Sequence, residues 1–157
     1  MNFKEATENT PGLETKYKVG LQALRAEDKT HIRAEDTRRL TGSIDVDSAY
    51  READPDGNRW DFAIAYLHTN RKTEYVYWVE LHTAMDSEVK VVIKKAAWLL
   101  QWLKTTGILL ATFEREILWV SSGVTRLTLS APQRKQMAEV GLQQRGSILD
   151  IPKKRHD

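Results

Sequence analysis

Cysteine is absent from the 157 residues, which leaves the fold neither a disulfide framework nor a thiolate metal site. Long apolar runs are missing as well. The longest candidate, Ala96 to Leu103, falls well short of the roughly 20 residues that a membrane-spanning helix needs. The opening stretch MNFKEATENTPGLETK carries acidic side chains and no apolar core of a secretory signal, so the expectation is a cytoplasmic protein with no membrane partner. Net charge is only +2, too little to wrap nucleic acid through overall charge, so any such contact must use a local patch. The chain has no glycine-rich phosphate loop, no H-E-x-x-H and no G-x-S-x-G, and His31, His68, His82 and His156 show no zinc spacing. Ser121-Ser122-Gly123 reads as a turn rather than a nucleophile, since no histidine stands at a convincing place for it.

What remains is a globular composition, 41% hydrophobic and 29% charged, at a length that suits one domain. Residues 1–15, polar and aperiodic around Thr10-Pro11-Gly12, read as a mobile lead-in, residues 16–152 as a single α/β domain, and residues 153–157 as a basic tail. From Lys16 to Leu40 the residues favour helix, with Tyr17, Leu21 and Leu24 as a short apolar stripe and the repeated RAED as a solvated face. SIDVDSAY alternates apolar and acidic residues and reads as a strand with one wet face. RWDFAIAYLH and EYVYWVELHT, rich in aromatic and branched residues, read as a β-hairpin. Asp86 or Ser87 then caps a helix that places Val89, Val92, Ile93, Ala96, Leu99, Leu100 and Leu103 on one face and stops at Gly107. EILWVSSG, TRLTLS and SILDI read as further strands, and APQRKQMAEVGL as a helix with proline in its first turn. The order predicts a mixed α/β (α+β) domain, a central mixed sheet with a β-hairpin and flanking helices.

The hairpin carries the chemistry. If it turns at Asn70-Arg71, Asp61 lies directly across from Glu80, and opposed Cβ atoms in an antiparallel pair are only about 4.5–5.5 Å apart. Two carboxylates so placed repel unless a cation sits between them, which suggests Mg²⁺ or Mn²⁺. Strand parity puts Ala63, Ala65, Val76 and Trp78 on the face of Glu80 and Phe62, Ile64, Tyr77, Val79 and Leu81 on the other, so Glu80 ends a strand that is apolar on both faces. His82, two residues on, falls on the same face.

A pair of acids on a hairpin, followed by a helix and another strand, resembles the PD-(D/E)XK, restriction-endonuclease-like superfamily. The resemblance covers Ile44 to Ser122 and rests on Asp61, Glu80 and His82, with the helix from Glu88 and the strand Glu116 to Ser121. It implies a restriction-endonuclease-like core, metal held by Asp61 and Glu80, and Mg²⁺- or Mn²⁺-dependent hydrolysis of phosphodiester bonds in DNA or RNA. The sequence departs from the pattern at two places: His82 stands at the lysine position, and Trp60 where proline precedes the first acid. Either His82 acts as general base, or a lysine of the next helix, Lys90 or Lys94, reaches in. Asp45 is a further candidate metal ligand from the preceding strand, with Asp47, Glu27 and Glu35 behind it. The alternative is a nuclease fold without catalysis, acting as a binding or regulatory partner of another protein or of its own copy. Basic residues at Arg33, Arg38 and Arg39, at Arg134 and Lys135, and at Lys153 to Arg155 are candidate phosphate contacts. Of the tryptophans, only Trp60 reads as a surface contact; Trp78, Trp98, Trp102 and Trp119 read as core.

Overall fold

In the computed structural model, which describes residues 1–156, the elements in chain order are α1 (Phe3–Glu8), α2 (Ala26–Lys29), β1 (Ile32–Ala34), β2 (Leu40–Asp45), α3 (Val46–Ala49), β3 (Phe62–Tyr66), β4 (Tyr75–Leu81), β5 (Ala84–Met85), α4 (Val89–Lys104), β6 (Arg115–Val120), β7 (Thr125–Arg126), α5 (Ala131–Glu139), β8 (Leu142–Gln144) and β9 (Leu149–Ile151). Five strands form the central mixed sheet, in the order β2-β3-β4-β6-β8. β3 runs antiparallel to both its neighbours, β2 and β4, whereas β6 runs parallel to β4 and β8 parallel to β6. This is the mixed α+β architecture expected. The hairpin keeps the expected register, Phe62 opposite Val79 and Ala63 opposite Trp78.

Each face of the sheet buries its own apolar layer. Ala63, Ala65, Val76, Trp78 and Trp119 meet the stripe Val92, Ala96, Leu99 and Leu103 of α4. Phe62, Ile64, Tyr66, Tyr77, Val79 and Leu118 meet Ile32, Leu149 and Ile151 on the opposite side. These last belong to a separate parallel pair, β1 with β9. The partition follows strand parity: both faces are covered, so the hairpin strands are continuously apolar.

Several expectations are corrected. Residues 1–15 are no loose lead-in: Asn2 caps α1 through Glu5 N–H at 2.8 Å, and Phe3, Ala6 and Leu13 are wholly buried in the α4 layer. These few apolar residues suffice because all three enter the core. The one or two helices expected between Lys16 and Leu40 are not seen at that length. Only the four-residue α2 and a 3₁₀ turn at Thr37–Arg39 are helical, with β1 between them, since the apolar side chains of the segment's first half are not followed by a continuous stripe in its second. In SIDVDSAY the strand stops at Asp45, whose carboxylate accepts from Ser48 N–H at 3.0 Å and so starts α3. Asp86 caps nothing; its carboxylate accepts from the Thr128 N–H and hydroxyl at 2.8 and 2.6 Å, and α4 begins after a 3₁₀ turn at Asp86–Glu88. TRLTLS keeps only the two-residue β7, paired with β5. Gly141, at φ 66°, ends α5 in the left-handed region and releases β8, a strand the sequence pattern missed. The capping box at Ser130 and Gln133 confirms the start of α5. Trp60 is fully buried rather than a surface contact. The basic tail is docked: Thr69 N–H donates to the Lys153 carbonyl, and the Asn70 amide brackets Arg155 by bonding its carbonyl and its N–H. Asp157 lies outside the described residues. Among the described residues, no helix is long and apolar enough to cross a membrane.

Candidate functional site

The antiparallel register continues one step past β3, so Asp61 comes opposite Glu80 at the end of β4. The backbone N–H of Asp61 donates to Glu80 Oε1 at 3.2 Å, and the N–H of Leu81 donates to Asp61 Oδ2 at 3.0 Å. Each carboxylate is thus held by the backbone of the neighbouring strand. α4 crosses this end of the sheet and delivers Lys95, whose ammonium lies 2.5 Å from Glu80 Oε2 and 3.9 Å from Asp61 Oδ1.

Lys95, not Lys90 or Lys94, meets the acids; the latter two are exposed on α4. The reason is helical geometry. Position 95 lies three residues after Val92 and four before Leu99, on the buried stripe, whereas 90 and 94 fall off it. The sequence therefore held the signal for Lys95, which reads as a wet-face lysine only if its charge is weighed above its phase.

Electrostatics follow from burial. Glu80 has no solvent exposure, and burial together with the neighbouring Asp61 pushes its carboxyl well above the ordinary value. Burial also raises Asp61, with Lys95 pulling the other way. For Lys95 burial opposes the charged form, but Glu80 and Asp61 outweigh it and hold the ammonium above its ordinary range. Lys95 is therefore a fixed cation rather than a proton acceptor.

His82 lies on the Glu80 side as parity requires, its Nδ1 3.9 Å from Glu80 Oε2 and its Nε2 3.0 Å from Glu88 Oε2. Asp45 sits beside the same strand end, and both its oxygens receive Ser48, from the backbone N–H and from the hydroxyl at 2.7 Å. A cleft of about 240 Å³ opens here, lined among others by Asp45, Asp47 and Asp61 and rimmed by Arg25, Asp28 and Arg51. Asp28 and Asp47 are the acids that the α2 segment and α3 contribute. Glu27 is exposed, and Glu35 is spent on the Lys153 N–H at 2.8 Å, far along the chain.

Among the described residues, no three His, Asp or Glu side chains converge as a metal-ligand set. The donors present still suit a hard divalent cation, because Mg²⁺ commonly takes one or two carboxylates and keeps several waters. Asp61 faces the cleft, and Glu80 directly behind it shares Lys95 as counter-charge. Of the basic residues, Arg38 pairs with Asp36, Arg134 donates to the Leu129 carbonyl and Arg155 is folded against Tyr75 and Glu116, whereas Arg33, Lys135, Lys153 and Lys154 are exposed. Ser121 is buried, and its hydroxyl donates to the Gly123 carbonyl at 3.0 Å. In comparisons with known proteins, the chain matches no family model, no curated protein and no solved structure.

Proposed function

We propose that the protein is a divalent-metal-dependent nuclease that hydrolyses phosphodiester bonds in DNA or RNA. The observation that carries the reading is the Asp61–Glu80–Lys95 constellation: two backbone-held acids on paired strands, with one lysine ammonium from the following helix between them. It is supported by the order of elements, three antiparallel strands, then α4, then the parallel β6, which agrees with a restriction-endonuclease-like core. In this reading Asp61 and Glu80 hold Mg²⁺ or Mn²⁺, with Asp45 alongside. The ion would supply a low-pKa water and charge neutralisation on the phosphate. Lys95 takes the place left vacant by His82 in the motif and offers positive charge to the developing phosphorane. His82, fixed by Glu88, is the proton acceptor nearest the pair.

One observation favours the second reading, a nuclease fold that only binds. Both oxygens of the fully buried Glu80 already have partners, Asp61 N–H and Lys95. The two readings separate when purified protein is incubated with single- and double-stranded DNA and RNA and Mg²⁺ or Mn²⁺, beside Asp61→Asn, Glu80→Gln and Lys95→Met. The nuclease reading expects cleavage by the wild type and none by Asp61→Asn. Cleavage that survives both acid substitutions overturns the site, and a folded wild type that cuts nothing leaves the binding reading.

A further inference from the structure

On the sheet face away from α4, we infer that residues 152–156, just past β9, form a strap that protonation of His68 loosens. The strap is pinned along its backbone. Thr69 N–H donates to the Lys153 carbonyl at 2.9 Å, the Lys153 N–H donates to Glu35 at 2.8 Å, and the Asn70 amide bonds the N–H and the carbonyl of Arg155 at 3.1 and 2.6 Å. From there the Arg155 side chain reaches Glu116, the Tyr75 ring and the Tyr77 hydroxyl. These groups lie at the opposite end of β4 from Glu80, so the strap does not depend on the nuclease reading.

His68 stands directly behind the Tyr77 hydroxyl. It has no solvent exposure, its Nε2 lies 2.8 Å from the Tyr77 oxygen, and its Nδ1 has no hydrogen-bond partner. The bonding pattern decides which nitrogen carries the proton. Arg155 can only donate, so the phenol oxygen accepts from it at 3.1 Å and the hydroxyl proton is left for Nε2. Nε2 is therefore bare, and the ring proton sits on Nδ1. A second proton places an N–H at Nε2 against the Tyr77 O–H, which has to turn away, and sets an imidazolium and a guanidinium on one phenol oxygen. The contact that yields is the one on the strap, because the imidazole is walled in by the rings of Tyr66, Tyr75 and Tyr77 at 4.7, 5.8 and 6.0 Å.

The groups facing the ring are Tyr66 from β3, Tyr75 and Tyr77 from β4, Arg71 from the hairpin turn, and Arg155 with the Pro152 and Lys153 backbone from the strap. None is an acid, and Glu116, beyond Tyr77, is already paired with Arg155 and Arg145. Burial holds the imidazole below the ordinary histidine value; the Pro152 and Lys153 backbone favours its charge, and the Arg155 and Arg71 guanidiniums oppose it. Once the strap lifts, water reaches the ring and its pKa returns towards about 6.5. Docking is therefore at full strength above that value and weakens as pH falls below it, by at most about tenfold per unit, until the docked ring itself titrates.

The test is amide hydrogen exchange followed by NMR from about pH 7.5 down to about pH 5, each rate corrected for the intrinsic pH dependence of exchange, with the His68 ring titrated in the same samples. Protection of the Thr69, Lys153 and Arg155 amides should fall about tenfold over this range, starting near 6.5 and levelling off where the His68 ring titrates. The Ser43 amide, bonded to the Lys18 carbonyl at the far edge of the sheet, should keep its protection. His68→Gln leaves the Tyr77 hydroxyl an acceptor and cannot take up a proton, so in this variant the strap amides should show no fall. The same fall in His68→Gln, a fall at Ser43 as large as that of the strap, or strap protection that stays constant while His68 titrates overturns the inference. The wild type decides by itself if His68→Gln does not fold: a His68 ring that titrates at its ordinary value means that docking is blind to its proton, and the strap is then no switch.

Discussion

Two ion-paired clusters flank the same pair of strands, β4 and β6, and their charge is balanced in opposite ways. On the α4 side, two acids, Asp61 and Glu80, share one cation, Lys95. On the other side one acid, Glu116, receives two: Arg155 at 2.7 Å and Arg145 at 3.3 Å. Arg155 also lies 4.1 Å over the Tyr75 ring and donates to the Tyr77 hydroxyl at 3.1 Å, and that hydroxyl in turn meets the buried His68 at 2.8 Å. The second cluster is closed, with a planar cation stacked, forked and paired. In the first, burial raises both acids and a compact ammonium only partly offsets it. The difference locates the place where another positive charge would be welcome. The closed cluster clamps the C-terminal segment; the acid-rich one holds two carboxylates against a single ammonium.

The largest effect that should separate them comes from Lys95→Met. Removing the ammonium strands the buried Glu80 beside the partly exposed Asp61, a loss of about 3 kcal/mol at pH 8. Because both acids have raised pKa values, they accept protons readily, so the loss should shrink at pH 5. Lys95 itself stays charged throughout that window, its pKa being held up rather than down. Urea unfolding at the two pH values checks this, and an equal loss at both would show that the acids are not charged against Lys95.

Arg155→Ala should cost less, about 2 kcal/mol, from the lost stacking and charge-assisted bonds. Arg155→Lys should recover only part, since lysine brings charge without the planar fork. Neither should touch Asp61-dependent cleavage, because Glu116 and Tyr77 face away from α4. Activity lost at full folding would mean that the two clusters communicate.

Glu80→Gln sharpens the comparison through pH. An acid whose pKa is raised by folding stabilises the fold below its unfolded value and loses that contribution as pH rises towards the folded one. Wild-type stability should therefore decline from the ordinary carboxylate range upward. The variant lacks this component, so its stability relative to wild type should improve with rising pH, by at most about 1.4 kcal/mol per unit. Unfolding free energies at pH 5, 6.5 and 8 measure the slope, and parallel curves would place the raised pKa elsewhere.

Where side-chain periodicity is strict, the sequence was readable. The aromatic and branched runs Phe62–Tyr66 and Tyr75–Leu81 marked the hairpin, a turn at Asn70-Arg71 set its register and the meeting of Asp61 with Glu80, and the stripe from Val89 to Leu103 marked α4. Legibility failed where structure depends on tertiary partners. β9 was read as a strand in SILDI, but its partner β1 lies far along the chain and was not; β8 is three residues long, and Phe3 and Leu13 look incidental until the core they fill exists. In the site the acids were legible from strand pairing. Arg25 and Arg51 were not, because short turns around α2 and α3, rather than any periodic element, bring them to one cleft.

The smallest effect is the one that discriminates among the lysines. Lys90 and Lys94 were the sequence candidates for completing the motif, spaced four apart on α4, yet both are exposed. Lys95 alone of the three is in reach of the acids. Replacing Lys90 and Lys94 together by alanine should change stability by no more than about 0.5 kcal/mol, as for surface positions away from a packed or paired group. It should also leave the pH dependence of unfolding unaltered, since neither ammonium compensates Glu80. Lys95→Met changes both. If the double variant instead reproduced the pH-dependent loss expected of Lys95→Met, α4 would have to sit rotated by about 100° per residue from the phase its apolar stripe dictates, and the site would have to be rebuilt around a different lysine.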